Sequence, residues 1–313
     1  MIGPEFFRRG EFLLKKIFSL ILVLFFIAAL VAGCGQKAAD TSGANTSNQA
    51  AQNNQNQTAE SNNSGNGAAN TGSDDSLERV KKAGKITIGI DDAFPPLEFR
   101  DDKNQLVGYD IDLSREAAKR LGVEAEWIPT EWNGVILALN SKKFDIIWSG
   151  MSMTADRAKQ VEFSPAYLNE AQVVVVKAND DSVKTQDDLK GKIVGTQLGS
   201  TSEEAANKIE GLKELKKYSK FTEAFLDLAN NRTQAIVVDE LVGRYYMTKR
   251  PNEFKVAFPL VKEPIGIAFR KEDKALREAL VKVLEEMKQD GTMAQISKKW
   301  FGEDISTLED IKF

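Results

Sequence analysis

The sequence predicts an α/β fold made of two similar halves, each a mostly parallel sheet with flanking helices. Three observations carry this. From Ser76 to Trp300, short strand patterns alternate with helical patterns, as parallel sheets require because their crossovers are usually helices. The alternation runs once to about residue 167 and starts again at AQVVVVK (171–177), a continuous apolar run suited to a sheet covered on both faces. Each half also has an apolar strand that ends in polar residues and enters a helix: Trp148-Ser149-Gly150 in one, Val238-Asp239-Glu240 in the other. Ligands in open α/β sheets sit at the carboxyl ends of strands, so two such sheets facing each other define a cleft.

In chain order, residues 1–34 read as a targeting segment. Arg8, Arg9, Lys15 and Lys16 precede an uncharged, aliphatic-rich stretch, residues 17–33, that ends in Val31-Ala32-Gly33-Cys34. Seventeen uncharged residues are at the short limit for spanning a bilayer. Small residues before a lone Cys favour cleavage over a transmembrane helix. The start MIGPEFFRRGEF is atypical, and translation from near Leu13 is an open alternative. Residues 35–75 are rich in Asn, Gln, Ser, Thr, Ala and Gly, and no aromatic residue occurs between Phe26 and Phe94. Such a segment buries too little apolar surface to order itself and reads as a disordered tether.

The globular part opens with a helix over 76–83, with Ser76 as N-cap and Gly84 at its end. KITIGI (85–90) alternates as a strand. Pro95 and Pro96 hold the next loop extended. Residues 97–99 and 105–107 bracket a turn, 109–121 form an amphipathic helix closed by Gly122, 123–128 a strand, 132–139 a helix and 144–148 a strand. In the second half, 193–195 begin a strand, and Ser200 and Glu203 have the spacing of a capping box at a helix start. A helix over 221–229, a strand over 234–238 and another helix follow. Strands over 256–258 and 266–269 and helices over 273–289 and 293–300 complete the chain.

Composition removes whole classes of chemistry. The 313 residues contain no histidine and one cysteine, Cys34. The commonest general base and metal ligand are therefore missing, as are Ser-His and Cys-His nucleophile pairs, a thiolate zinc site and any intramolecular disulfide. No cofactor or metal is expected. Without residues 1–34 the chain carries 38 basic and 44 acidic side chains, a net of −6, with no basic cluster. Nucleic acid is an unsuitable partner for such a surface.

The stretch FDIIWSGMSMTADRAKQVEFSPAY (144–167) is the most informative. Its strand runs into Ser149-Gly150, and a helix is expected to begin near Thr154, a good N-cap, with Asp156 in the first turn. Arg157 is out of place there, because a cation in the first turn opposes the helix dipole by a few tenths of a kcal/mol. An anion bound at the helix start reverses that sign, with backbone N–H groups and a guanidinium converging on one carboxylate. The competing reading is a solvated surface arginine.

These segments together resemble the amino-acid-binding family 3 of extracytoplasmic solute-binding proteins of ABC importers. The resemblance rests on DDAFPPLEF (91–99), VGYDIDL (107–113), EWNGVILALNSKKFDII (131–147), SGMSMTADRAKQVEFSPAY (149–167), LKGKIVGTQLGSTSEE (189–204), AIVVD (235–239), GIAFRK (266–271) and KKWFG (298–302), in that order, and covers residues 77–302. The end of the leader, Leu30 to Cys34, resembles a lipobox. Together these imply a lipoprotein signal peptide over 1–34 ending at a lipidated Cys34, a tether over 35–75, a first lobe over 77–168 and 263–313, and a second lobe over 169–262. The implied fold is two-lobed, like the type II periplasmic binding proteins, with two extended crossings forming a hinge. The implied function is non-enzymatic: a monomeric receptor, held on the outer face of the membrane, delivers an L-amino acid to an ABC permease.

The resemblance also implies roles for particular residues. Arg157 pairs with the ligand α-carboxylate, assisted by Ser152, Ser200 and Thr201, and Ser149 is a further ligand-binding position. Gly150 and Asp239 face the α-ammonium. Phe94 and Trp132 form apolar walls, and Asp91 lies near the ligand side chain. Structural readings stand beside these roles: Asp239 as a helix N-cap, Trp132 as core, Asp91 as a turn former, Ser200 as a cap as well as a contact. Gln197 is a weaker lining candidate. Asp112, Asp145, Trp127, Trp148 and Trp300 read as structural. With Asp91 present, the ligand side chain is expected to be polar or cationic, cystine included. Two rival readings remain: a prephenate-type dehydratase working from a cleft carboxylate, and a sensor ectodomain or fused lyase, which the end of the chain soon after Trp300 disfavours.

Overall fold

The computed structural model describes residues 74–313. The leader and most of the tether, including Cys34, lie outside the described residues. Asp74 and Asp75, assigned to the tether from composition, belong to the folded part: Asp74 Oδ1 accepts from the Ser76 backbone N–H at 2.9 Å, and Asp75 takes the N-cap position of α1 (Ser76–Ala83). Ser76, expected to be that cap, instead accepts from the Leu276 backbone N–H at 3.1 Å. It thereby ties the first helix to a helix two hundred residues away.

The first half runs β1 (Lys85–Ile90), β2 (Ala93–Phe94), β3 (Glu98–Arg100), β4 (Leu106–Val107), α2 (Tyr109–Leu121), β5 (Glu124–Pro129), a 3-10 turn (Trp132–Gly134), α3 (Val135–Asn140), β6 (Ile146–Ile147), α4 (Ala155–Ala158) and β7 (Glu162–Phe163). The second half runs β8 (Leu168–Lys177), a 3-10 turn (Gln186–Leu189), β9 (Ile193–Gln197), α5 (Thr201–Ala206), β10 (Glu214–Tyr218), α6 (Phe221–Ala229), β11 (Ala235–Asp239), α7 (Glu240–Lys249) and β12 (Phe254–Ile265). The chain then returns to the first half with β13 (Ala268–Phe269), α8 (Lys274–Gln289) and α9 (Thr292–Phe301). Gly84 and Gly122 close α1 and α2 in the left-handed conformation, with φ of 68° and 76°, where a residue with a side chain is strained.

Two five-stranded sheets result, ordered β5-β1-β6-β13-β7 and β10-β9-β11-β8-β12. In each, the strands joined by helical crossovers pair in parallel and the strands that return pair antiparallel. This is a two-lobed α/β fold. The apolar run of β8 is explained by its two covered faces. Val173 and Val175 pack into one cluster, Val174 and Val176 into another on the opposite face.

β12 differs most from expectation. Only residues 256–258 read as strand, yet it is extended over twelve residues and pairs with β8 from Phe254↔Lys177 to Ile265↔Leu168. It lies at the edge of its sheet, where Pro259 and Pro264 cost no ladder hydrogen bond on the open side. β8 and β12 are also where the chain passes between the two halves, with Asn169 opposite Pro264 and Glu170 opposite Glu263. The C-terminal segment pairs beside this crossing, where Ala166 and Glu309 exchange backbone hydrogen bonds of 2.7 and 3.1 Å.

Candidate binding cleft

The parallel strands deliver polar residues to one place. β1 leads to Asp91 and its neighbour β6 leads to Ser149-Gly150. In the other sheet β9 ends at Gln197 and its neighbour β11 at Asp239. Together with Phe94, Trp132, Ser152, Arg157, Ser200 and Thr201 these line a cleft of about 270 Å³ of empty space. All ten residues singled out from sequence line it, and Gln197, the weaker candidate, is with them.

Arg157 is buried, and burial pulls its pKa below the usual guanidinium value against the upward pull of the Glu204, Glu263 and Asp239 charges. Its Nη1 donates to the Ser152 carbonyl at 2.9 Å and Nη2 to the Gly199 carbonyl at 3.4 Å, and the guanidinium lies 5.7 Å from the centroid of the Trp132 ring. Its recorded protein partners are thus carbonyls and a ring face. A buried cation held this way favours an anion beside it, since an uncompensated buried charge costs several kcal/mol. The helix dipole contributes little at Arg157. Thr154 does cap α4, accepting from the Arg157 N–H at 3.2 Å, but the helix is a single turn, so its ends are adjacent and its field is weak. Burial makes Arg157 notable, not its place in the helix.

Asp239 stands at the N-cap position of α7 but makes no capping hydrogen bond. Its Oδ1 accepts from Gln172 Nε2 at 2.8 Å, the cross-strand partner of Asp239 in the β8–β11 ladder. Burial, then the Glu263 charge, push its pKa up to about 6. Burial, then the Asp239 charge, push Glu170 well above the usual carboxylate range. Thr201 Oγ1 donates to Glu263 Oε2 at 2.7 Å and lies 3.1 Å from Ser152 Oγ. Ser200 caps α5, accepting from the Glu203 N–H at 3.1 Å. Glu203 reaches back to the Gly199 N–H at 2.6 Å, one residue earlier than in the expected capping box.

The floor is set by a second buried acidic pair. Gly150 has φ +50°, and a Cβ there would sit 2.6 Å from the Phe94 ring and 2.7 Å from Leu97. Its N–H donates to Asp110 Oδ2 at 2.8 Å. Ser149 Oγ donates to Glu98 and accepts from the Asp91 N–H at 2.9 Å. The loop's far end is pinned to the crossing strand, with the Met153 N–H on the Pro264 carbonyl at 2.8 Å.

Asp91 forms the last wall, and here sequence reasoning missed a partner. Asp91 Oδ1 takes the Ala93 N–H at 3.0 Å, so the turn reading is also right. Lys220 Nζ, from the second lobe, reaches the same oxygen at 2.9 Å, and Gln197 Nε2 reaches Oδ2 at 2.6 Å. The only local signal was a lysine at the N-cap of α6, where a short polar side chain is usual. Of the residues read as structural, Trp148 is fully buried, Asp145 holds the Thr87 N–H at 2.9 Å, and Asp112 takes Trp300 Nε1 at 2.8 Å.

A closed cleft between two α/β lobes, with a buried cation, Arg157, and two buried carboxylates, Asp91 and Asp239, in its walls, defines a solute-binding protein of the type II architecture. Residues 86–303 match the family described as bacterial extracellular solute-binding proteins, family 3, and the chain belongs to that family. It is 34% identical over 235 residues to the L-cystine-binding protein TcyJ of Escherichia coli (strain K12), covering 74% of this chain and 87% of that protein. It is 34% identical over 225 residues to the ABC transporter arginine-binding protein 1 of the same strain, covering 70% and 91%. An ancestral arginine-binding protein, solved with arginine and with glutamine, superimposes with a TM-score of 0.68 at 45% identity, over 70% of this chain and 99% of that one. The named relatives are binding proteins and not enzymes.

Proposed function

We propose that this protein is a lipid-anchored extracytoplasmic receptor that captures a free L-amino acid with a polar or cationic side chain, cystine included, and delivers it to the permease of an ABC importer. The observation that carries the reading is the pairing of Arg157 with Asp239: one buried cation on the first lobe and one buried carboxylate on the second, both lining the same cleft. A zwitterion removed from water needs both charges compensated, and an α-amino acid head supplies one anion and one cation to meet them. Arg157 takes the α-carboxylate with Ser152, Ser200 and Thr201. Asp239 takes the α-ammonium with the Gly150 carbonyl, over the floor that Ser149 and Gly150 make. Phe94 and Trp132 flank the ligand and Asp91 meets its side chain. The lobes, 77–168 with 263–313 and 169–262, close on the ligand by bending at the crossing strands.

Membership of a family of extracellular solute-binding proteins supports the location, and relatives named for amino acids and for an ABC transporter support the ligand class and the permease. The anchor is Cys34, acylated after removal of residues 1–33. The protein acts as a monomer on the outer face of the cell membrane, with residues 35–75 as its tether. A thermal-shift screen over the twenty amino acids, ornithine and cystine tests the ligand class, because binding to the folded state raises apparent stability. A rise for one or a few of them is expected; no rise for any of them refutes the reading. Cys34→Ser tests the anchor: the variant is expected to leave the membrane fraction.

A further inference from the structure

We propose that Lys220 sets the side-chain class of the ligand: by neutralising Asp91 it makes that wall of the cleft a site for a net-neutral, hydrogen-bonding side chain, an amide or a second amino-acid head, and turns cationic side chains away. The proposal rests on the amino-acid receptor reading above and narrows it.

The geometry is specific. The side chain of Asp91 is 2% exposed and that of Lys220 18%, and they meet at 2.9 Å from opposite lobes. Burial works against the charge on Lys220, but Asp91 beside it prevails and holds the ammonium above its usual pKa. The other carboxylates whose charge Lys220 feels are Glu131 and Asp92. Asp92 is itself engaged by Arg100 at 2.7 Å, and Glu131 is exposed. Asp91 is therefore the one buried anion available to this wall, and its charge is matched.

The consequence follows from charge balance in a closed, poorly solvated space. Arg157 and Asp239 account for the two charges of the amino-acid head. The remaining pair is neutral as it stands. An added ammonium or guanidinium gives this wall two cations for one carboxylate, and like charges held close in a low-dielectric site repel strongly. A neutral amide adds no charge and can donate to Asp91 and accept from Lys220. A second zwitterionic head does the same with full charges, its ammonium to Asp91 and its carboxylate to Lys220. Gln197, 2.6 Å from Asp91 and 2.9 Å from the Ser219 carbonyl, holds the carboxylate in the orientation that either partner meets.

The test is calorimetric titration of protein freed of bound ligand by unfolding and refolding, using L-glutamine, L-cystine, L-arginine and L-lysine. The wild type is expected to bind glutamine or cystine at least tenfold more tightly than arginine or lysine. Lys220→Met keeps the aliphatic stem and removes the charge, and is expected to shift that ratio at least tenfold toward arginine and lysine. Asp91→Asn leaves Lys220 unmatched and is expected to bring L-glutamate into the set of ligands. A wild type that prefers arginine or lysine, or a ratio unmoved in Lys220→Met with no gain of glutamate in Asp91→Asn, overturns the proposal and leaves the receptor reading standing. Failure of every amino acid to bind the wild type overturns the receptor reading and this one with it.

Discussion

The hydroxyls of Ser152 and Thr201 meet at 3.1 Å between the two lobes. Ser152 belongs to the loop pinned to the crossing strand, and Thr201 to the first turn of α5. Thr201 also donates to Glu263 at 2.7 Å and accepts from Gln172 at 3.2 Å, so it links the cleft wall to both crossing strands. Thr201→Val should therefore destabilise the ligand-free protein more than Ser152→Ala. The coupling in a double-mutant cycle should be that of one neutral hydrogen bond, about 0.5–1.5 kcal/mol. Urea unfolding of the two single variants and the double variant reads this directly, and additive effects would show that the hydroxyls do not act on each other.

Arg157→Ala should separate binding from stability. Removing one member of a buried charged pair formed with the ligand costs about 2–5 kcal/mol, so amino-acid affinity should fall at least about thirtyfold. The ligand-free protein should lose little, because the substitution also removes a buried guanidinium whose recorded partners are two carbonyls and a ring. Titration calorimetry and the melting temperature without ligand check the two halves. Near-native affinity would remove Arg157 from the site.

Much of the fold was legible because its signals are local. Gly84 and Gly122 end their helices where a Cβ would strain, and the valines of β8 announce a strand with both faces covered. The length of β12 was hidden by its prolines and charges, which are tolerated because the strand is an edge. The site was legible only through the joint order of its motifs. Taken singly, Arg157 suggested a dipole mismatch that a one-turn helix does not have. Lys220 carried only the faint signal of a lysine at a helix start: it is one of several lysines in KELKKYSK (213–220), and tertiary structure is what turns it toward Asp91.

Asp239 makes affinity depend on pH. Its pKa in the ligand-free fold is about 6, against about 3.9 for an unperturbed aspartate. A raised folded pKa contributes stability that is complete below the unfolded value and lost as pH rises through about 6. Pairing with a ligand ammonium favours the ionised form, so binding below pH 6 must expel a proton. Affinity should therefore fall progressively from pH 6 toward pH 4, with proton release on binding measurable by calorimetry in buffers of different ionisation enthalpy. Asp239→Asn should bind weakly and lose that dependence.

Gly150→Ala should damage the floor. A left-handed φ of +50° disfavours alanine, and the new methyl would press on Phe94 and Leu97 at 2.6 and 2.7 Å. Overpacking of this kind costs about 1–3 kcal/mol. Leu97 is fully buried and has no room to retreat, so the displacement passes to Phe94 and the cleft wall. A lower melting temperature together with weaker binding is expected, and an unchanged melting temperature would show that the floor is softer than its geometry implies.

Glu98 and Asp110, beneath that floor, behave as a pair sharing a proton. Glu98 Oε2 and Asp110 Oδ1 are both buried and neither has a donor from another group. Burial and the Asp110 charge push Glu98 well up, while burial pushes Asp110 up to about 7. We expect Glu98 to carry the proton, facing Asp110 through Oε2 while its other oxygen accepts from Ser149. Glutamine supplies the same donor and acceptor, so Glu98→Gln should cost less than about 1 kcal/mol, whereas Glu98→Leu strands the Ser149 hydroxyl and the Asp110 carboxylate and should cost about 1–3 kcal/mol or more. Both acids have raised pKa values, so their contribution to stability is lost as pH rises through about 7. Unfolding at a series of pH values should show the wild type weakening as pH rises from the ordinary carboxylate range toward about 7. A Glu98→Gln variant as unstable as Glu98→Leu would mean that both carboxyls are ionised and that something else holds them together.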